Sequence, residues 1–459
     1  MKILFLGQPS KDKFTNIAPP IGLCYLSATL KKEGYDSKVI DACSYSWKKI
    51  KSILRKEKPD VVGIQCVTIE RGQSYKLAKI VKKELPKCII IFGGQHASCF
   101  PEQMFKLAPI DYVVIGEGEL TIIELIKAIE KGNDLYNIKG LAFKEAQNKI
   151  KINPSRELIN DLDTIPFPDY SAIDLSQYAT NKFGEKVASA SMITSRGCIY
   201  NCAFCSSTHF WGRHYRVRSA ENVIKELSEL YDKGIRQFDF IEDNFIVDKE
   251  RMIKICQWMI DKKDIRFFVT ASIRIMDEER LKWLKDAGCF ALNFGMESGC
   301  DKILKNISKY QTKEDIKKAY LLTKKYGIKI IGSLIVGCPG ETKETIKETA
   351  ELLNEIYPDR LAYGGILWVL PGTPIYELSK KQGIISDDTW LHTDKDIFYT
   401  AEHNLRQLKH LQKLLLYYQA RKRNFKQKLL FIVRYIHLSM PISIKRIFRI
   451  IYYKFLPSM

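Results

Sequence analysis

The sequence predicts an α/β protein with two parallel-sheet domains followed by a basic, helical extension. Apolar segments rich in Val and Ile alternate with amphipathic segments along most of the 459 residues, as in repeated βα units. A proline-containing stretch at 146–187 breaks the alternation, and residues 401–459 hold thirteen Lys or Arg against one acid, Glu402. We therefore divide the chain into a first domain (1–145), a linker (146–187), a second domain (188–370) and an extension (371–459).

The composition indicates a globular protein with a sizeable core and an excess of positive charge. Hydrophobic residues make up 46% of the chain and charged residues 27%, which is ordinary, whereas the net charge is +20. Nine of the twelve cysteines are scattered, mostly through apolar segments, as expected for small buried side chains in a reducing compartment. The apolar run at 3–6 is too short for a secretory signal and no run is long enough to span a bilayer, so we expect a cytoplasmic protein.

The first domain is predicted to be a doubly wound parallel sheet. Its strand segments show little alternation of apolar and polar residues, which indicates strands covered by helices on both faces. The predicted strands are Ile3–Leu6, Ser37–Asp41, Asp60–Cys66, Cys88–Phe92 and Asp111–Ile115.

Glycine-rich or polar turns lie at the edge of this sheet where doubly wound folds bind their ligands. Glycine lets a ligand approach the backbone closely. Each turn alone is explained by a tight strand-to-helix connection, but four at one edge favour a ligand site. The candidate contacts are Pro20, Gly22, Thr68, Gly93, Gly94, His96, Gly116 and Glu117.

The second domain is predicted to contain six strands, each followed by a helix except the last. Six units are too few to close an eight-stranded barrel, so we expect a partial barrel. Each strand has an apolar body and ends in polar residues or glycine, at the end where parallel barrels carry their chemistry. The predicted strands are Ala188–Thr194, Gln237–Ile241, Arg266–Thr270, Phe290–Phe294, Lys329–Val336 and Leu361–Val369.

Three cysteines with C-x3-C-x2-C spacing, Cys198, Cys202 and Cys205, follow the first of these strands. Three thiolates this close cannot all form disulfides, but they can hold one metal centre. A structural zinc ion normally takes four ligands, whereas three thiolates on a four-iron cluster leave one iron open to a small molecule. His209 could complete a Cys3His zinc site, although a local zinc loop gives no reason for the other five strand ends to be polar.

These features together resemble a known enzyme family. The cysteine spacing, with Phe204 before the last cysteine, resembles the radical S-adenosylmethionine superfamily. The first domain resembles the cobalamin-binding domain found in cobalamin-dependent radical methylases and anaerobic magnesium-protoporphyrin ester cyclases. The Asp-x-His-x-x-Gly motif that supplies a cobalt ligand elsewhere is absent, so His96 is interpreted as a loop or corrin contact. The shared motifs are Pro19-Pro20-x-Gly22, Gly93-Gly94-x-His96 and Gly116-Glu117-Gly118-Glu119.

The resemblance implies a four-iron cluster on the three cysteines, S-adenosylmethionine on the open iron and cobalamin between the domains. It implies cleavage to a 5′-deoxyadenosyl radical and methylation of an unactivated carbon, with a one-electron donor such as flavodoxin or ferredoxin. We expect a small-molecule or lipid-like substrate. The S-adenosylmethionine contacts implied by position are Phe204, Glu242, Asp243, Ser272, Arg274, Glu297 and Gly340.

The extension is predicted to carry a helix over 402–428 and a basic amphipathic helix over 444–455. Such a helix is typical of membrane-surface binding, which would make the cytoplasmic protein membrane-associated, but it could equally dock on the protein itself. The regular apolar face argues against nucleic acid. Before these helices, an irregular stretch offers candidates for either substrate contact or core packing, namely Trp390, His392, Phe398 and Tyr399.

Two other functions stay open from the sequence. A tRNA methylthiotransferase would share the barrel, but it usually has a second cysteine set in its first domain. The scattered Cys24, Cys43, Cys66, Cys88 and Cys99 do not clearly form that set. A zinc-stabilised binding protein at a membrane surface would use the Cys3His site.

Overall fold

The computed structural model describes residues 1–9, 19–43, 45–178 and 188–421, and these form the two predicted parallel-sheet domains. The helix predicted over 444–455 lies outside the described residues, as does the end of the helix predicted to reach residue 428. No helix of the described part is long and apolar enough to cross a membrane.

The first sheet has seven strands, and the five predicted ones are confirmed as neighbouring parallel strands. Two short antiparallel strands extend its edge beyond residue 145, where the sequence placed the domain boundary. No α-helix follows either strand, so they fall outside the βα repeats by which the other strands of this domain are predicted. The strands are β1 (Lys2–Gly7), β2 (Asp36–Asp41), β3 (Val61–Gln65), β4 (Ile89–Gly93), β5 (Tyr112–Val114), β6 (Leu141–Lys144) and β7 (Ile150–Ile152), in the order β2-β1-β3-β4-β5-β6-β7.

Helices cover both faces of this sheet. Successive residues of one strand, such as Leu4 and Phe5, enter separate apolar clusters on opposite faces, and both are buried. This explains why the strands read as continuous apolar runs. The helices are α1 (Ile21–Lys32), α2 (Trp47–Glu57), α3 (Arg71–Glu84), α4 (Gln95–Cys99), α5 (Pro101–Leu107) and α6 (Glu119–Lys131).

The second domain contains six parallel strands in one sheet, in the predicted number and order. Between the first and second of them, a short antiparallel ribbon is formed by β9 (Ser195–Arg196) and β10 (Arg216–Val217). The strands of the sheet are β8 (Ser189–Met192), β11 (Gln237–Phe240), β12 (Arg266–Ala271), β13 (Cys289–Glu297), β14 (Lys329–Val336) and β15 (Arg360–Ile366), in the order β15-β14-β13-β12-β11-β8.

Helices follow these strands and continue into the extension. The last described helix packs on the helix that follows β14, and its Leu408, Leu411 and Leu415 enter the main core of the second domain. The extension is therefore part of the folded domain up to this point. The helices are α7 (Ser207–Trp211), α8 (Ala220–Asp232), α9 (Lys249–Lys262), α10 (Glu278–Asp286), α11 (Asp301–Asn306), α12 (Lys313–Lys325), α13 (Lys343–Ile356), α14 (Pro374–Lys381), α15 (Thr389–His392) and α16 (Leu405–Arg421).

The linker packs along both domains. The Asp169 N–H donates to the Cys24 carbonyl in the first domain at 3.1 Å. The neighbouring Tyr170 hydroxyl donates to the Ser191 carbonyl on β8 at 2.9 Å. These contacts tie the linker to α1 of the first domain and to β8 of the second.

The extension also packs against the first domain through Trp390, which is 1% exposed. Its indole stacks on Tyr376, meets the edge of His96 with ring centroids 5.3 Å apart, and lies 4.6 Å from the Arg71 guanidinium carbon. Arg71 in turn donates to the Thr393 carbonyl at 3.1 Å. Of the two alternatives that the sequence left open for Trp390, the structure therefore supports core packing and not substrate contact.

The other aromatic candidates of this stretch have different environments. Tyr399 is buried with Trp390 in one apolar cluster. Phe398 forms an isolated β-bridge with Trp368, whereas His392 is exposed.

Replacing Trp390 by Ala should lower the free energy of unfolding by about 3–5 kcal/mol, because a large buried ring is lost from the contact between extension and first domain. Chemical denaturation followed by circular dichroism measures the change. The matched control is Trp258→Ala, because Trp258 is only partly buried on α9. Equal losses of stability in the two variants would contradict the role of Trp390 in joining the extension to the first domain.

Candidate active site

One cavity of about 410 Å³ lies between the two domains. Its wall on the first domain includes Gly93 at the end of β4 and Gly116 after β5. Its wall on the second domain includes Gly197 after β9, and Glu242 and Asp243 after β11. The carboxyl ends of both sheets therefore face the same space, which is where each kind of fold places its ligands.

The cavity is mainly apolar away from these strand ends. Leu26, Ile64 and Val114 line it on the first domain, and Phe210 and Trp211 on α7 line it on the second. An apolar cavity with a few converging polar groups is typical of a cofactor or small-molecule site.

The glycines of the first domain leave room for a bound group. A Cβ added at Gly22 or at Gly116 would meet no other atom within 4 Å, and both residues line the cavity. A large, flat ligand could thus lie directly against this backbone. The wall fits a corrin in this respect.

The three cysteines lie on the loop that follows β9 beside the cavity. All three are partly exposed and none forms a disulfide. The loop is held at its centre because the Ala203 N–H donates to the Ile307 carbonyl at 2.9 Å and the Ile375 N–H donates to the Ala203 carbonyl at 3.0 Å. Its start requires glycine, since a Cβ at Gly197 would lie 1.9 Å from the His214 carbonyl oxygen.

His209, the possible fourth zinc ligand, packs against the backbone at Gly372. Among the residues that the structure describes, no three His, Cys, Asp or Glu side chains are grouped as ligands of one metal ion.

The two carboxylates after β11 have different environments. Glu242 is buried and accepts hydrogen bonds from the Thr194 N–H at 3.1 Å, the Thr194 hydroxyl at 2.8 Å and the Ser195 hydroxyl at 2.6 Å. Burial raises the pKa of Glu242 although these donors act against it. Asp243 is exposed to the cavity and accepts from Ser207. Asp243 is therefore the more accessible carboxylate, and Glu242 fixes the chain between β8 and β9.

The remaining predicted contacts of S-adenosylmethionine do not line this cavity. The Ser272 hydroxyl accepts the Arg274 N–H at 3.3 Å, and the exposed Arg274 lies 5.2 Å from the Tyr200 ring. The Gly340 N–H donates to the Glu402 carboxylate at 2.8 Å, so the extension already occupies this group.

Glu297 forms an ion pair with Lys309, a residue that the sequence analysis missed. The Lys309 Nζ lies 2.9 Å from Glu297 Oε1 and 5.8 Å from the Phe204 ring centre. Burial lowers the pKa of Lys309, but the charges of Glu297 and Cys202 outweigh it and raise the pKa overall. A cation therefore lies beside the cysteine loop. No sequence pattern marked it, since it is one of many lysines.

The predicted cobalamin contacts separate into two groups. The glycines and Glu117 line the main cavity, and Pro20 with Gly22 lines a neighbouring cavity of about 340 Å³. Thr68 and His96 line neither cavity. The His96 ring turns inward and packs against Trp390, and the Thr68 hydroxyl lies beside that ring.

The side chain of His96, interpreted from the sequence as a loop or corrin contact, lies away from both cavities. Its side chain is 0% exposed, and its Nδ1 lies 3.2 Å from the Thr68 hydroxyl oxygen. Burial, with a smaller effect of Arg71, lowers the pKa of His96 to about 3, so the imidazole is neutral.

Glu117 lines the cavity, and arginines of the second domain surround its carboxylate. Arg196 donates to Glu117 Oε1 at 2.6 Å and Arg216 to Glu117 Oε2 at 2.9 Å. The Ile159 N–H donates to Oε2 as well, at 2.7 Å. Glu117 connects the domains at the edge of the cavity.

The turn after β14 contains a buried carboxylate, Glu341. It accepts from the Gly337 N–H at 3.0 Å and the Thr345 hydroxyl at 2.9 Å. Thr342 is the N-cap of α13, and its side chain accepts the Thr345 N–H, so this part of the turn caps the helix. Burial raises the pKa of Glu341 to about 7.

Comparison with known proteins agrees with this geometry. The sequence matches the radical SAM superfamily over residues 192–353 and the B12 binding domain over residues 9–126. It is 34% identical to an uncharacterized methyltransferase of Pyrococcus horikoshii, over 89% of this chain and 88% of the relative. It is 30% identical to the anaerobic magnesium-protoporphyrin IX monomethyl ester cyclase of Cereibacter sphaeroides, over 84% of this chain and 65% of the cyclase.

A solved structure has the same fold. The cobalamin-dependent S-adenosylmethionine radical enzyme OxsB, solved with aqua-cobalamin and S-adenosylmethionine bound, matches all of this chain and 73% of its own with a TM-score of 0.74 and 19% identity.

The chain therefore belongs to the cobalamin-dependent radical S-adenosylmethionine family, whose members include methyltransferases and magnesium-protoporphyrin cyclases. Its cofactors are a [4Fe–4S] cluster, S-adenosylmethionine and cobalamin. This family assignment replaces the hypothesis of a zinc-stabilised binding protein, which the sequence alone left open.

The raised pKa of Glu341 predicts a pH-dependent stability. The folded protein holds a proton on Glu341 up to about pH 7, whereas the unfolded chain releases it near the ordinary value of 4.5. The contribution of Glu341 to the free energy of unfolding is therefore fully present below pH 4.5. This contribution falls by about 3 kcal/mol as the pH rises to 7. Denaturation at several pH values should show this loss in the wild type and not in Glu341→Gln.

The control is Glu314→Gln, which changes an exposed glutamate on α12. This variant should keep the wild-type pH dependence. A Glu341→Gln protein that loses stability with pH as steeply as the wild type would contradict the assignment.

Proposed function

We propose that the protein methylates a carbon atom of a small, largely apolar molecule. One observation supports this most: a single cavity touches both the glycine wall of the B12-binding sheet and the start of the cysteine loop. The two cofactor sites would therefore open into the same space. A substrate held there would be within reach of both.

Cys198, Cys202 and Cys205 are the proposed ligands of the cluster. Asp243, exposed to the cavity, would accept the amino group of S-adenosylmethionine, because a carboxylate and an ammonium form a strong charge-assisted hydrogen bond. Lys309 would offer a cation for the carboxylate of the same cofactor. Phe204, whose ring lies close to Lys309, would pack against S-adenosylmethionine.

The other residues implied by family position keep a supporting role in the proposal. Glu242 would orient Asp243 through its bonds to Thr194 and Ser195, and Glu297 would hold Lys309 in place. Ser272, Arg274 and Gly340 remain candidate contacts around the rest of S-adenosylmethionine.

For cobalamin, the proposed wall consists of Gly22, Gly93, Gly94 and Gly116, with Pro20 at its edge. When bound, the cluster supplies one electron that cleaves S-adenosylmethionine, and cobalamin supplies a methyl group for transfer. The apolar walls, including Phe210 and Trp211, would exclude water from the space between them. Such exclusion protects reactive species from side reactions.

The substrate class is inferred from the walls of the cavity and from the relatives. Apolar side chains favour an apolar molecule, and the cyclase of C. sphaeroides acts, by its name, on a porphyrin ester. A lipid-like substrate fits the same walls. Oxidative cyclisation is the second candidate reaction, favoured by the 30% identity to that cyclase.

The proposal includes two partners. A one-electron donor such as flavodoxin or ferredoxin would reduce the cluster. The basic segment at 444–455 would give a cytoplasmic enzyme a peripheral membrane contact, close to a lipid-like substrate. This segment lies outside the described residues.

A methylthiotransferase is less well supported. Cys24 lies in the apolar cluster on one face of the first sheet, whereas Cys66 and Cys88 lie in the cluster on the other face. These three cysteines cannot converge on a second cluster without crossing the sheet.

A test of the cobalamin wall is a size series at Gly22. Ala at this position meets no atom and should retain cobalamin, while Phe would fill the cavity and weaken binding at least about tenfold, or about 1.4 kcal/mol. Each protein is loaded with hydroxocobalamin and desalted, and the retained corrin is read from its visible absorption.

The Ala variant serves as the matched control, because it carries the same backbone change in α1 without filling the space. Retention of cobalamin by Gly22→Phe at the wild-type level would contradict the proposed wall. So would a wild-type protein that retains none.

A further inference from the structure

Four buried, charged side chains join the two domains beside the cavity; we call them the latch. Arg196 reaches two glutamates of the first domain, with Nη1 at 2.6 Å from Glu117 and Nη2 at 2.5 Å from Glu119. Arg216 lies 2.9 Å from Glu117. These side chains are between 3% and 9% exposed.

The latch balances a charge problem in the second domain. Arg196 on β9 and Arg216 on β10 are direct partners in the antiparallel ribbon. Like charges directly opposite each other destabilise such a pair. Glu117 and Glu119 supply the opposite charges; Glu117 lies in the turn after β5, and Glu119 is the first residue of α6. The ribbon is therefore electrostatically complete only when the first domain is docked.

Glu117 remains ionised in this setting, as the latch requires. Burial alone would raise the pKa of Glu117, but its hydrogen bonds with Arg216 and Arg196 lower it below the ordinary value. The Trp211 ring covers both guanidinium groups, with centroid distances of 5.5 Å to Arg196 and 5.7 Å to Arg216. Such contacts favour arginine over lysine at these positions.

The ribbon that carries the latch also carries the candidate active site. Only Gly197 separates Arg196 from Cys198, and its backbone packs closely on the His214 carbonyl, since a Cβ there would lie 1.9 Å from the carbonyl oxygen. On the other side, Ser195 holds Glu242, the neighbour of Asp243. A shift of Arg196 would therefore move the cysteine loop and the carboxylates together.

We propose that Arg196 is a positioning residue that fixes the cysteine loop at a set distance from the cobalamin wall. The inference rests on the proposed function, since it assumes a corrin in the cavity between the domains. The planar fork of Arg196 meets two carboxylates at once, whereas lysine at this position would be a point charge able to hold one. Glu117 and Glu119 thereby act on the distance between the two cofactors and not on their binding.

The test measures that distance magnetically. Wild type, Arg196→Lys, Arg196→Gln and Glu119→Gln are reconstituted anaerobically with iron, sulfide and hydroxocobalamin and reduced with dithionite. Electron paramagnetic resonance then records how much the reduced cluster accelerates the spin relaxation of cob(II)alamin. The matched control is Glu226→Gln, which changes a buried glutamate paired with Arg218 inside the second domain.

We expect all variants to retain iron and cobalamin. In Arg196→Gln and Glu119→Gln the relaxation enhancement should fall. The interaction follows the sixth power of distance, so an added displacement of about 1 Å at a separation of about 10 Å lowers the enhancement about 1.8-fold. The relaxation enhancement in Arg196→Lys should lie between the value in these variants and the value in wild type. Glu226→Gln should match wild type even if its melting temperature drops.

Two results would overturn the inference. Wild-type enhancement in the latch variants would show that Arg196 does not set the distance, and the proposed function would stand. An equal fall in Glu226→Gln would show a general loss of packing. If Arg196→Gln is not recovered as folded protein, Glu119→Gln decides, because it keeps the arm between Arg196 and Glu117. A wild type that holds no cobalamin would refute the proposed function itself.

Discussion

The carboxyl ends of two parallel sheets face each other across one cavity, and the candidate site depends on this arrangement. A parallel sheet places all its strand ends at one edge, so each domain brings its polar turns together without long loops. Neither edge forms a closed site alone. Docking of the domains turns two open edges into one enclosed, largely apolar space.

Three separate connections hold this arrangement. The latch joins the turn after β5 and the start of α6 to β9 and β10. The Trp390 side chain joins the extension to α3 and α4, and the linker bonds to α1 and to β8. Removing one partner of a buried ion pair leaves an uncompensated charge and costs about 3–5 kcal/mol. Docking of the domains is therefore tied to folding.

The sequence was sufficient for the parts of the structure that depend on local patterns. Apolar periodicity located eleven strands, and their order placed the cysteine loop and Asp243 at the same edge. Contacts between distant residues could not be predicted. His96 and Trp390 meet across almost the whole chain, and no local feature of either one shows this.

Charged residues were the hardest to interpret. Arg196, Glu119 and Lys309 look like solvated surface residues in a basic chain, yet all three side chains are largely buried. Their partners come from another domain or another turn, so only the folded chain brings the charges together. Strands such as β7 were not predicted for a different reason, because no α-helix follows them and they fall outside the βα repeats.

The central claim is that iron at the cysteine loop and cobalt at the glycine wall share one cavity. Anomalous scattering from crystals of the anaerobically reconstituted protein, recorded at the iron and cobalt edges, tests this directly. The account predicts an iron peak bounded by Cys198, Cys202 and Cys205 and a cobalt peak inside the cavity beside Gly22 and Gly116. Zinc at the cysteines, or cobalt bound elsewhere, would contradict it.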